Sequence, residues 1–303
     1  MIVVLAGGSG GAKLARGMLD VVGPQSLVVV ANTGDDLKAY GQRISPDPDL
    51  VTWWLADIIH ERGWGIRDDT WNVMAALEAA GQETWFRLGD RDLALSIVRT
   101  QMLAAQERLT DATAEVAGAV GVTARVLPMS DERVRTHVMT DGTWRPFQEF
   151  MILTGARGPI ERVGLGGIEE AEPTPEVLAA LGEAEAIVIG PSNPVVSIGP
   201  ILAVAGMREA IDAAAAPVVA VSPFVGGRAL KGPTEAFCEY LGLSIDAAGA
   251  AAAYAGVIDG LVADDELDDP ALPSTRIDTL LDTPTARREV AAKTLEFAMS
   301  LAR

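Results

Sequence analysis

The chain is short of cysteine, histidine and positive charge: one Cys, two His, and 24 Lys and Arg against 42 Asp and Glu. The lone Cys238 excludes an intramolecular disulfide and any cysteine metal cage, and such sparing use suits a reducing, cytoplasmic setting. With only His60 and His137, a histidine-rich metal centre is hard to build. The formal charge of −18 argues against general nucleic-acid binding, because polyanions attract basic surfaces. No run reaches the ~18 or more uninterrupted apolar residues that a membrane-spanning helix needs. Met1–Ala6 is apolar but lacks a basic leader region, and so reads as a first strand rather than a signal peptide.

What is present is apolar and periodic. Apolar residues make up 49% of 303, which removes disorder and allows a sizeable core in one large domain or two small ones. Short continuous apolar runs occur at Ile2–Ala6, Leu27–Ala31, Ala186–Ile189, Val218–Val221 and Gly260–Ala263. Longer helical patterns separate them. Apolar strands alternating with helices predict a parallel sheet covered on both faces. Between the second and third strands lie four helical stretches, Leu50–Glu61, Trp71–Ala80, Leu93–Gln106 and Thr110–Val120. A hairpin follows over Thr136–Thr140 and Thr143–Phe147, joined by Asp141-Gly142. The fold expected is a single α/β domain with a Rossmann-like, doubly wound, mostly parallel sheet. Its core spans about 1–48 and 174–303, and a largely helical insertion spans about 49–173. A last helix, Pro284–Leu301, has Thr283 as its N-cap.

Five stretches carry candidate chemistry. Gly7-Gly8-Ser9-Gly10-Gly11-Ala12-Lys13 follows the first strand, where glycines let a backbone approach phosphate and a helix start supplies amide donors. It fits neither G-x-G-x-x-G nor the P-loop pattern, so it reads as a phosphate loop of another kind. Asn32-Thr33-Gly34-Asp35-Asp36 ends the second strand, where parallel sheets bind ligands. Asp35 and Asp36, with Asp47 and Asp49 in the Pro-stiffened Ser45–Asp49 loop, are candidate Mg²⁺ ligands, and one could accept a hydroxyl proton. Trp64 and Arg67, within Gly63–Thr70, could stack on a planar ring and reach an anionic or carbonyl group. Trp85–Asp92 reads either as a capped, salt-bridged turn or as a buried network in a cleft. Gly190–Pro200 offers Ser192, Asn193 and Ser197 on a loop fixed by prolines, and Ser222–Gly227 and Lys231-Gly232-Pro233 follow the next strand. His60 and His137 read as structural, and Cys238 as packing.

Taken together, these blocks resemble the transferase family of coenzyme F420 biosynthesis, which comprises 2-phospho-L-lactate transferase and its phosphoenolpyruvate-using relatives. The resemblance rests on GGSGGAK at 7–13, NTGDD at 32–36, PDPD at 46–49, RGWGIRDDTW at 62–71, WFRLGDRDLA at 85–94, LPMSDERVRTHV at 127–138, FQEF at 147–150, GPSNPVVSIGPIL at 190–202 and SPFVGG at 222–227. It implies transfer of a phospho-carboxylic acid group, 2-phospholactyl or phosphoenolpyruvyl, from a guanosine diphosphate ester to the ribityl hydroxyl of the deazaflavin Fo, with release of GMP. It also implies Mg²⁺ as cofactor, a homodimer, and hand-over of the donor from a guanylyltransferase. On this basis Asp35 and Asp36 are expected to be catalytic, and Asp35, Asp36, Asp47 and Asp49 to hold metal. Asp35, Trp64 and Arg67 would bind Fo. Gly7, Gly8, Ser9, Gly10, Gly11, Lys13, Ser192, Asn193 and Ser197 would bind nucleotide or phosphate. A non-enzymatic sugar-nucleotide-binding regulator of the gluconeogenesis-factor type and a sugar-phosphate nucleotidyltransferase are the alternatives. The GPSNP and GDRDLA blocks weigh against the first, and GPSNPVVSIGPIL weighs against the second.

Overall fold

The computed structural model describes residues 1–230 and 232–301, so Lys231 of the Lys-Gly-Pro turn lies outside the described residues. The strands are β1 (Ile2–Ala6), β2 (Leu27–Ala31), β3 (Leu37–Ala39), β4 (Gln42–Ile44), β5 (Arg125–Pro128), β6 (Arg135–Thr140), β7 (Thr143–Pro146), β8 (Arg162–Gly166), β9 (Ala186–Ile189), β10 (Val218–Val221), β11 (Gly260–Ala263) and β12 (Ser274–Arg276). The helices are α1 (Gly8–Val22), α2 (Pro46–Leu55), α3 (Asn72–Ala79), α4 (Asp90–Ala104), α5 (Leu109–Ala119), α6 (Phe147–Leu153), α7 (Pro175–Gly182), α8 (Gly199–Ala203), α9 (Met207–Ala213), α10 (Thr234–Leu241), α11 (Ala247–Ala253) and α12 (Pro284–Ser300).

Seven strands form one parallel sheet in the order β12-β11-β10-β9-β1-β2-β5. Alternate side chains of the inner strands enter different cores. Val3, Leu5, Val28 and Val30 pack with α7, α8 and α9 residues on one face. Ile2, Val4, Ala6 and Val29 pack with α1, α2 and α12 residues on the other. Burial on both faces is why these strands carry unbroken apolar runs. The order reverses at β1, whose neighbours are β2 on one side and β9 on the other. This topological switch point is where an open α/β sheet leaves a crevice beyond its strand ends.

Five strands match the five apolar runs read from the sequence. The stretch expected to be an insertion is not wholly outside the sheet, however. Arg125–Pro128 within it pairs in register with Val28–Ala31 as the edge strand β5. Four residues with Arg at one end and Pro at the other give no alternation to read, and an edge position tolerates both. The hairpin gains a third strand, since β6 pairs with both β7 and β8. Helix α1 starts at Gly8, inside the glycine loop itself. Helix α2 runs Pro46–Leu55 rather than Leu50–Glu61, and the chain then makes a turn closed by an Ile59–Ile66 bridge. The last helix is capped as expected, with Thr283 Oγ1 accepting from the Ala286 amide at 3.1 Å.

Candidate active site

At the carboxyl ends of β1, β2, β9 and β10 the chain encloses a cavity of about 1040 Å³. Its wall includes Gly7, Gly8, Ser9, Gly10 and Lys13 after β1, and Ser192, Asn193 and Ser197 after β9. Asp35 follows β2 in the same wall, and Asp47 and Asp49 come from the start of α2.

The glycine loop does two jobs. Gly8 has φ +62°, a conformation that admits the chain directly into helix. A Cβ on Gly10 would sit 1.9 Å from the Pro191 carbonyl oxygen, so glycine here lets the β9 loop press against the helix start. The Gly11 amide donates to Ser192 Oγ at 3.0 Å, which joins the two loops across the switch point. The Gly8 amide donates to Asp47 Oδ1 at 2.8 Å, so a carboxylate already sits at the α1 N-terminus, where the helix dipole favours negative charge. Lys13 Nζ pairs with Asp282 at 2.8 Å on the cavity wall. Asn193 spends its Oδ1 on the Val195 and Val196 amides at 2.8 and 3.2 Å, which fixes its own loop.

The acids sort into two groups. Asp35 and Asp47 face the cavity and share one donor. Asn32 Nδ2 donates to Asp47 Oδ2 at 2.9 Å and to Asp35 Oδ1 at 3.4 Å. Gln148 of α6 donates to Asp35 Oδ2 at 3.3 Å. Burial, and then the neighbouring Asp47 charge, hold the Asp35 carboxyl well above the usual carboxylate range. Burial lifts Asp47 to about 6. The second group lies behind. Asp36 does not line the cavity. It accepts from Ser45 Oγ at 2.9 Å, and its other oxygen is buried without a hydrogen-bond partner. Burial raises it to about 7, against the pull of Arg135 and Arg99. Asp49, although in the wall, gives both oxygens to the fully buried Arg99. Asp92, also in the wall, is raised to about 8 by burial and by the Asp49 charge.

This division bears on two expectations. Asp36 and Asp49, read as metal ligands, belong to a buried charge network with Ser45, Arg99 and Arg135. Among the described residues no three His, Cys, Asp or Glu side chains are grouped to hold an ion. Two cavity-facing carboxylates in mutual repulsion nevertheless fit Mg²⁺, which binds through one or two carboxylates and takes the rest of its shell from substrate phosphate and water. Asp35 and Asp47 are the residues that would hold it.

The Gly63–Thr70 stretch also divides. Trp64 lines the cavity and is 45% exposed. Arg67 does not line it, because its guanidinium turns back to the Asp57 carbonyl. Arg62 and Arg87 line the cavity instead. Of the two readings of Trp85–Asp92, capping accounts for Asp90, which accepts the Asn72 and Val73 amides at the start of α3. Asp69 returns the capping by accepting from Arg91 and Asp92 at the start of α4. The cleft network accounts for Asp92. Arg99, Asn32, Gln148 and Arg62 were not singled out as individual residues. For Arg99 the signal was a polar stripe at Asp92, Ser96 and Arg99 along one face of α4, all buried.

Sequence comparison places the same residues in a family. Residues 2–293 match the family described as 2-phospho-L-lactate transferase CofD. A phosphoenolpyruvate transferase from Kitasatospora aureofaciens is 45% identical over 271 residues, covering 87% of this chain and 84% of the relative. A 2-phospho-L-lactate transferase from Methanosarcina mazei is 36% identical over 298 residues, covering 96% and 98%. In fold, a UPF0052-family protein from Bacillus halodurans superposes with TM-score 0.61 at 18% identity over 97% of this chain and 99% of that one. The chain belongs to the 2-phospho-L-lactate transferase CofD family.

Proposed function

We propose that the enzyme moves a phospho-carboxylic acid group from a guanosine diphosphate ester to the ribityl hydroxyl of Fo, as a transferase of coenzyme F420 biosynthesis. The observation that carries the site assignment is a single large cavity that joins the glycine loop at the α1 N-terminus to the buried Asp35–Asp47 pair. Phosphoryl transfer asks a protein for positioning and charge stabilisation more than for covalent chemistry. These residues supply both.

In this reading Asp35 orients the terminal ribityl hydroxyl and takes its proton. Burial and the like charge of Asp47 raise this carboxyl, which makes its ionised form a stronger proton acceptor. The hydroxyl oxygen bonds to the phosphorus bearing the small acid, the bond from that phosphorus to the bridging oxygen breaks, and GMP leaves with the electron pair. Lys13 and the α1 amides face the diphosphate, and Ser192, Asn193 and Ser197 shape the nucleotide side. Trp64 offers a planar face to the deazaflavin. Mg²⁺ at Asp35 and Asp47 would neutralise charge on the diphosphate oxygens.

The enolpyruvyl ester is the donor we favour, because relatives at 38–45% identity are named phosphoenolpyruvate transferases. A guanylyltransferase would have to supply that donor. We further propose a homodimer in the cytoplasm. Exposed Leu153 and Leu241 supply apolar surface for dimerisation. The test is a coupled assay with Fo, Mg²⁺, GTP and a guanylyltransferase, given 2-phospholactate, phosphoenolpyruvate or 3-phosphoglycerate in turn. Phosphoenolpyruvate should yield a deazaflavin phosphodiester of the corresponding mass. No product with any acid, alongside tight sugar-nucleotide binding, would move the chain to a regulatory binding role.

A further inference from the structure

We infer that Arg62 reads the carboxylate of the transferred acid and so sets the enzyme's requirement for an acidic donor group. This rests on the transferase reading above. Among the described residues three cationic side chains line the cavity, Lys13, Arg62 and Arg87. Lys13 is paired with Asp282, and Arg87 with Glu78 at 2.6 Å. Among the described residues Arg62 has no carboxylate partner, and its Nε and backbone amide face His60 Nδ1 at 3.3 and 3.1 Å.

Arg62 is also held in place. Its guanidinium lies 4.3 Å from the Trp64 ring centroid and 5.6 Å from that of Trp71. The two indoles meet edge to face at 6.4 Å. The turn that carries Arg62 is closed by the Ile59–Ile66 bridge and by the His60 amide donating to the Gly65 carbonyl at 2.9 Å. The two indoles hold the guanidinium by cation–π contact, and the His60 contact engages Nε. No described side chain or carbonyl engages the Nη pair. A planar pair of parallel donors is the match for a carboxylate, which it binds by two hydrogen bonds. The cavity otherwise presents Asp35, Asp47 and Asp92 to an anionic ligand, so an uncommitted cation is needed where the acid sits.

The donor offers two anionic groups, its carboxylate and its diphosphate, and the test separates them. Steady-state kinetics and ligand titrations would compare wild type, Arg62→Gln and Arg62→Lys. The inference expects Arg62→Gln to raise KM for the enolpyruvyl ester roughly 10- to 100-fold, the worth of a hydrogen bond to a charged group. It should weaken the phosphodiester product similarly and leave GDP and Fo binding unchanged. Arg62→Lys keeps the charge without the fork and should fall between. Weakened GDP would assign Arg62 to the diphosphate. Weakened Fo would assign it to the deazaflavin. An unchanged ester KM would leave it no ligand role. Each of these three results overturns the inference. A wild-type enzyme that turns over no ester refutes the transferase reading itself, which separates that failure from this one.

Discussion

At the scale of single residues, the site is governed by which carboxylates keep a counter-charge. Asp49 has Arg99, while Asp35 and Asp47 have only uncharged donors, the Asn32 and Gln148 amides and the Gly8 backbone N–H. Asp35, at the end of β2 with a raised pKa and no counter-charge, is the acid the transferase reading assigns to proton transfer. Replacing Asp35 with Asn should lower kcat by about 10²- to 10⁴-fold, the usual worth of a general base, with thermal stability retained. Undiminished turnover would remove Asp35 from the chemistry. Lys13→Ala should weaken GDP more than Fo, and equal weakening in titrations of the two would place Lys13 elsewhere. Arg99→Ala strands Asp49 as a buried unpaired charge and should cost about 3–5 kcal/mol in chemical denaturation. The acids were legible in the sequence because NTGDD ends a buried strand and PDPD lies in a proline-stiffened loop. Their division was not, because the deciding partner, Arg99, lies 50 residues beyond Asp49.

At the scale of elements, two loops and one helix start form a single unit. The β9 loop is held against α1 by the close approach at Gly10 and the bond from Gly11 to Ser192. Gly10→Ala would force a methyl against the Pro191 carbonyl and should destabilise the fold by about 1–3 kcal/mol. It should also raise KM for the nucleotide ester, because the displaced loop carries Ser192 and Asn193. A variant of wild-type stability and KM would show that the approach has slack. The glycine run was legible as unusual, and part of its reason is packing between loops. The central strands were readable because burial on both faces writes an unbroken apolar run. Edge strands β5 and β12 were not, since RVLP and STR carry no such signature.

At the scale of the whole molecule, five of the 42 acids, Asp35, Asp36, Asp47, Asp49 and Asp92, are buried. Burial raises Asp36 to about 7 and Asp92 to about 8, against an unfolded value near 3.8. The folded state therefore holds these protons more tightly than the unfolded chain does. The resulting stability is complete below about pH 4 and is lost as pH rises through 7–8. The lowered carboxyls, Asp90 and Glu176 at about 2, titrate below this window and do not offset it. The metal-free protein should melt at a higher temperature at pH 5 than at pH 8, and calorimetry showing the reverse would contradict the buried-acid network.

The transferase assignment is tested most directly by the stoichiometry of a single turnover. Enzyme in excess over the enolpyruvyl guanosine ester, with Fo and Mg²⁺, should release one GMP for each deazaflavin phosphodiester formed, and Asp35→Asn should suppress both together. GMP released without the deazaflavin product would make the chain a hydrolase of the ester, and neither product from a folded enzyme would contradict phosphoryl transfer at this site.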